Sequence, residues 1–168
     1  MYTLQTIARE AIPDALEKAM RYRLLNEPLE AESICLDILE VEPEHQGALI
    51  TLVLALTDTF KQQLSPAFSR ARSILEQVGD QYLRAYYGGI ILERRAKVHL
   101  ERPEPGSARM AYDWFCKAMD LYEEVMNSTS EVNQDAVLRW NACARTIMKN
   151  PDVRPSEAEQ GPGEQMLE

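Results

Sequence analysis

Glycine, histidine and long apolar runs are all scarce in this chain, and each scarcity removes a class of function. Only 7 of the 168 residues are glycine, and none belongs to a phosphate-cradling loop; Gly88-Gly89 falls mid-helix, where small residues permit close helix packing. The 2 histidines, His45 and His99, belong to different helical segments without cysteine or aspartate at ligand spacing. They read as surface residues, and no metal site is expected. The longest apolar stretch, residues 48–56, is interrupted by Thr51 and is too short to cross a bilayer. No serine occupies a strand–turn–helix nucleophile setting, and carboxylate pairs such as Glu123-Glu124 fall on an expected solvated face. Neither a catalytic residue nor a cofactor site is expected.

Positive charge is in deficit as well. The net charge of −9 disfavours nucleic acid and anionic membrane surfaces as partners, because both repel such a body. The aromatic residues of the most basic segment, Tyr82, Tyr86 and Tyr87, sit at core spacing rather than as a stacking platform. The 3 cysteines, Cys35, Cys116 and Cys143, are odd in number and lie within apolar helical patterns. They are expected to be reduced core residues of a cytoplasmic protein. The opening MYTLQTIAREAIPDALEK lacks a basic start followed by an apolar core, so no signal peptide is expected.

What is present is helical periodicity. Ala111, Trp114, Phe115, Ala118, Met119, Tyr122 and Val125 draw one apolar stripe; Val132, Ala136, Trp140, Cys143 and Ile147 draw another. No stretch alternates apolar and polar residues long enough for a half-buried strand. Pro28, Pro43 and Pro66 mark helix starts, since the N–H that proline lacks has no helical partner in a first turn. Ser65, Ser107 and Asp80 are placed to cap first turns. The expected map is one all-α domain over residues 1–149. A short amphipathic segment carrying Leu4, Ile7, Ala8 and Ala11 precedes helices over 13–25, 28–42, 44–62, 66–78, 81–101, 107–127 and 131–149. Residues 150–168, rich in Pro, Gly and Glu, are expected to form a disordered acidic tail.

Helices joined by two- or three-residue turns pack antiparallel to their neighbours. Within the second helix Ala31, Cys35, Ile38 and Leu39 share one face, and Pro43 follows Ala31 by twelve residues. That spacing (Ala31, Cys35, Ile38, Pro43), with Tyr22 in the preceding helix, resembles a tetratricopeptide repeat. Ala111, Phe115 and Ala118 copy it without the proline, and Ala71, Leu75 and Val78 give a weaker copy. The resemblance covers residues 13–149 and implies a right-handed superhelix of antiparallel helix pairs, an α-α solenoid of about three repeats plus a terminal helix. A generic helical bundle is the plainer alternative.

The third helix is apolar all round: Leu49, Leu52, Val53 and Leu56 form its inward stripe, while Ile50, Leu54 and Ala55 lie on the other side. Such a helix needs cover on both sides. By alignment with the repeat, Leu16, Met20, Ile50 and Leu54 face the concave groove in which these repeats hold partner peptides. The subclass that clamps a peptide carboxylate carries Lys, Arg and Asn there, so the resemblance does not imply such a clamp. The expected activity is that of a non-catalytic protein-interaction module, holding a partner peptide or helix in an apolar groove. Two alternatives stand beside it: a small acidic chaperone of an aggregation-prone client, and a structural self-assembly unit, a homo-oligomer. Alternatively, residues 2–12 cover the groove and make it ordinary core. Charge is also asymmetric. Residues 24–60 carry 8 acids and no Lys or Arg, whereas residues 61–102 carry 8 bases against 4 acids; opposite fields of this kind orient a charged partner or promote head-to-tail association.

Overall fold

A computed structural model describes residues 2–128 and 134–155. Among these residues the regular structure is entirely helical. One 3-10 turn, Arg9–Ala11, leads into α1 (Ile12–Leu24), α2 (Pro28–Val41), α3 (Gln46–Asp58), α4 (Phe60–Leu75), α5 (Gln81–Leu100), α6 (Ser107–Asn127) and α7 (Gln134–Lys149). All seven expected helices are present; the expected first residues of the last, 131–133, lie outside the described residues.

Local chemistry sets the boundaries. α1 ends where Asn26 takes a left-handed conformation (φ 60°). There the Asn26 N–H bonds to the Arg23 carbonyl and the Glu27 N–H to the Tyr22 carbonyl at 2.9 Å. This pair of bonds satisfies the last carbonyls and aims Pro28 into the first turn of α2. α5 begins as expected at Asp80, whose carboxylate accepts from the Tyr82 and Leu83 N–H groups. α3 starts later than the expected residue 44, because His45 caps it: Nδ1 accepts from the Ala48 N–H at 3.1 Å. Ser107 is not a cap. Gly106, at φ 84°, makes the turn into α6, and Ser107 is its first, buried residue.

The junction of α3 and α4 departs from the expected continuous helix over 44–62. α3 stops at Asp58, and Phe60 already opens α4, which is broken at Gln63 (φ −146°, ψ 55°). Pro66 explains the break: it has no N–H to give the Gln62 carbonyl, and its ring crowds that same carbonyl. The Thr59 hydroxyl donates to the Leu56 carbonyl at 2.8 Å and closes the end of α3.

The amphipathic segment expected before α1 does not pack along one side, and only the turn at Arg9–Ala11 is helical. Ala8 is extended (φ −71°, ψ 143°), Leu4 is exposed, and only Ile7 packs, against the cluster of Ile12, Ile38 and Ala48. Three or four apolar residues with no caps cannot offset the cost of helix nucleation. The other end extends further than expected. Val153 is buried among α5, α6 and α7 residues, so the packed body runs past residue 149. The expectation of a disordered tail, for 156–168, lies outside the described residues.

Each helix packs chiefly on its chain neighbours, with the largest interface between the two longest, α5 and α6. The odd-numbered helices also touch in series, α1 with α3 and α3 with α5. α3 is thereby enclosed on most sides, which accounts for its having apolar residues all round. Ala31 and Ala111 are fully buried, where a small side chain lets helix axes approach. Gly89 serves the same end in α5: a Cβ there would stand within 2.9 Å of three atoms of the Tyr122 ring.

Candidate partner-binding face

One stripe of α3 escapes enclosure. Every residue of the helix after Gln46 is buried except Gly47, Ile50, Leu54 and Asp58, which are half-buried. Their three- and four-residue spacing sets them along a single line. Two of the expected groove residues, Ile50 and Leu54, are therefore neighbours on the open side of the most enclosed helix.

α1 meets this line at both ends. Leu16 lies on Gly47, where a Cβ would come within 2.9 Å of Leu16 Cδ2. Seven residues on, Arg23 holds the Asp58 carboxylate with two bonds, from Nε at 2.8 Å and Nη2 at 3.3 Å. Between those contacts Met20, on the same face of α1, is 53% exposed. Leu16 is thus half-buried at the helix contact, whereas Met20 is free for an occupant. Of residues 2–12, Ile7 and Ile12 share a cluster with Leu16 at one end of this face. Leu4, Gln5 and Thr6 border a cavity with Leu36, Asp37 and Glu40 of α2, and Arg9 reaches Glu42 beyond the end of that helix.

α5 completes the face from the other side. Arg94 also donates to Asp58, and its Nη1 donates to the Thr57 hydroxyl oxygen at 2.6 Å. Asp58 therefore stands between two guanidinium groups and joins α1, α3 and α5. Half-buried ion pairs with two-point geometry hold side chains in place more firmly than exposed ones. Tyr87 packs nearby against residues of both main clusters. Burial and then neighbouring Tyr86 raise its pKa, while Arg23 and Arg139 lower it, which places the phenol within electrostatic reach of α1 and α7. The face thus pairs an apolar strip (Met20, Ile50, Leu54) with a rigid polar end (Arg23, Asp58, Arg94).

Arg23, Asp58, Arg94 and Tyr87 were not among the residues expected from sequence. Asp58 follows Leu54 by four residues and Arg23 follows Met20 by three, so their helical register was readable. Their mutual contact, across 35 residues of chain, was not. The charge asymmetry has a related outcome. Glu32 pairs with Arg70 and Asp58 with Arg94, so acidic and basic segments partly neutralise each other inside the molecule.

A second polar cluster is centred on a buried carboxylate. Glu93 of α5 accepts from the Tyr122 hydroxyl at 2.8 Å and pairs with Lys97 and, at 3.3 Å, Arg139. Its side chain is 1% exposed, while those of Lys97 and Arg139 reach the surface, so it is a satisfied link among α5, α6 and α7. Burial, then the charge of Glu93, drives the Tyr122 pKa far upward. Burial likewise pushes the thiols of Cys35 and Cys143 up to about 12 and raises that of Cys116; all three are free and protonated near neutral pH. His99, expected at the surface, is buried, and desolvation followed by Arg95 and Arg102 lowers its pKa. No helix among the described residues is long and apolar enough to cross a membrane. No family model, curated protein or solved structure matches the chain.

Proposed function

We propose that the chain is a tetratricopeptide-like superhelix of three helix pairs closed by α7, which binds a partner protein without catalysing a reaction. The partner lies across α1, α3 and α5. The observation that carries this reading is the single half-buried stripe of α3, flanked by exposed Met20 and by the Arg23–Asp58–Arg94 link. The repeat register supports it too: Ala31, Cys35, Ile38, Ala111, Phe115 and Ala118 are all fully buried, as a repeat seam requires. The series of contacts between odd-numbered helices is the arrangement in which such repeats form a continuous concave face.

Occupancy by an extended peptide or a helix buries Met20, Ile50 and Leu54, and the fixed charges at the end of the strip orient it. Free, protonated cysteines suit a reducing compartment, which is the basis for placing the protein in the cytoplasm. The test is site-specific photo-crosslinking in lysate of the native host. A crosslinker at position 20 should capture a defined partner that a crosslinker at exposed position 36, on α2, does not. Equal capture from both positions, or none from position 20, would remove the assignment.

A further inference from the structure

Between α2 and α4 the facing charges are opposite, and Arg70 meets Glu32. Between α4 and α6 they are alike. A cleft of about 440 Å³ opens there, with α5 as its floor, a volume within the range of small-molecule sites. Gly88 and Ile91 form part of the floor, and Leu75 and Leu121 stand on either side. The missing side chain at Gly88 keeps the floor low, since a Cβ would meet Leu121 at 3.2 Å and Leu75 at 3.6 Å.

The rim is cationic and aromatic. Arg72 of α4 and Lys117 of α6 line the cleft with Trp114. The Lys117 ammonium stands 4.6 Å from the Trp114 ring centre, and the Arg72 guanidinium 5.9 Å from that of Phe68. Arg95 of α5 is stacked between both rings, 4.1 Å from each centre. None of these three cations makes an ion pair among the described residues, and Arg95 Nε is buried without a partner. Burial and the nearby charge of Arg72 both disfavour the charged form of Arg95. Glu76 is the one carboxylate lining the cleft. In a chain of net charge −9, Arg72 and Lys117 line the cleft without a carboxylate in ion-pair contact among the described residues, and Arg95 adds positive charge from behind the Trp114 ring; together they favour an anion there.

We infer that the α4–α5–α6 cleft binds a small organic anion, its acid group between Arg72 and Lys117 and its apolar body against Trp114, Leu75 and Leu121. The site uses none of the residues of the partner-binding face and stands independently of it. Carboxylate and phosphate share the required chemistry, and direct titration tells them apart.

The experiment follows the two indole N–H resonances of the 15N-labelled full chain during titration with phenyl phosphate, phenylacetate, inorganic phosphate and benzyl alcohol. Phenyl phosphate or phenylacetate should shift the Trp114 signal saturably and leave Trp140, whose indole donates to Glu123 at 2.9 Å, in place. The tighter of the two identifies the acid group. Arg72→Gln combined with Lys117→Gln should weaken binding at least about tenfold, whereas Arg145→Gln on α7 should not. Raising salt from about 50 to 500 mM should weaken wild-type binding several-fold, a readout that stands even where the double variant does not fold. Absence of a saturable Trp114 shift with either aromatic anion, equal affinity for benzyl alcohol, or salt-independent binding overturns the inference. Inorganic phosphate binding as tightly as phenyl phosphate overturns the apolar part of the site.

Discussion

The ring of Tyr122 lies against the bare backbone of α5 at Gly89, and its hydroxyl reaches one turn further to donate to Glu93 at 2.8 Å. This side chain explains why a glycine interrupts a long helix, and with Lys97 and Arg139 it satisfies the fully buried carboxylate beside it. Gly89→Ala sets two effects against each other. Alanine favours a helix interior by up to about 1 kcal/mol. A methyl group within 2.9 Å of three atoms of a packed, hydrogen-bonded ring costs about 1–3 kcal/mol through overpacking. Overpacking should win, and urea titration should show a net loss. A stabilised variant would mean that the ring has room to move.

Ala31 in α2 and Ala111 in α6 are both fully buried. Ala31→Leu and Ala111→Leu should each destabilise the protein by about 1–3 kcal/mol. Neutral behaviour of both would show that helix axes are not closest at these positions.

Alkaline pH should weaken the fold. Cys35 and Cys143 have a reference value of 9.0 and are held at about 12 in the native state, and the Tyr122 value is raised above 10.0. Each raised group adds stability that is complete below its unfolded value and is lost as pH rises above it, because the unfolded chain releases protons that the native state keeps. Stability should therefore fall from about pH 9 upward, by up to about 1.4 kcal/mol per pH unit for each ionising group. Melting curves between about pH 8 and 11 check this, and Cys35→Ala should flatten the slope. A flat profile would place the thiols in contact with water.

Val153 separates two truncations. A chain ending at residue 155 should melt like the full chain, whereas one ending at residue 149 loses the buried valine. Burial of such a side chain contributes about 1.5–2 kcal/mol, a drop of several degrees for a domain of this size. Identical melting of both would show that the valine contact adds nothing.

These tests rest on features of unequal legibility. Helix existence was written in the three- and four-residue stripes, and Asp80 marked the start of α5 by its capping chemistry alone. The break at Gln63 was half legible: Pro66 announced a helix start, while the single turn of α4 that precedes it depended on the packing of buried Phe60. The His45 cap was missed because an imidazole is an uncommon acceptor there. The N-terminal segment was misjudged because periodicity alone ignores nucleation. At the site, Ile50 and Leu54 were legible as the surplus apolar side of α3. The partners of Asp58 and the cation stack of Arg95 were not, since both are contacts across more than 15 residues of chain that no local pattern encodes.

The open stripe of α3 is tested most directly by Ile50→Ser combined with Leu54→Ser, with stability and partner capture read on the same protein. Both side chains are half-buried, so their truncation should cost less than the roughly 2–5 kcal/mol of a fully buried leucine or isoleucine. The account predicts a folded double variant, with a helical spectrum and a cooperative melt, that no longer captures the partner crosslinked from position 20. A variant that is unfolded, or one that captures that partner undiminished, would contradict it.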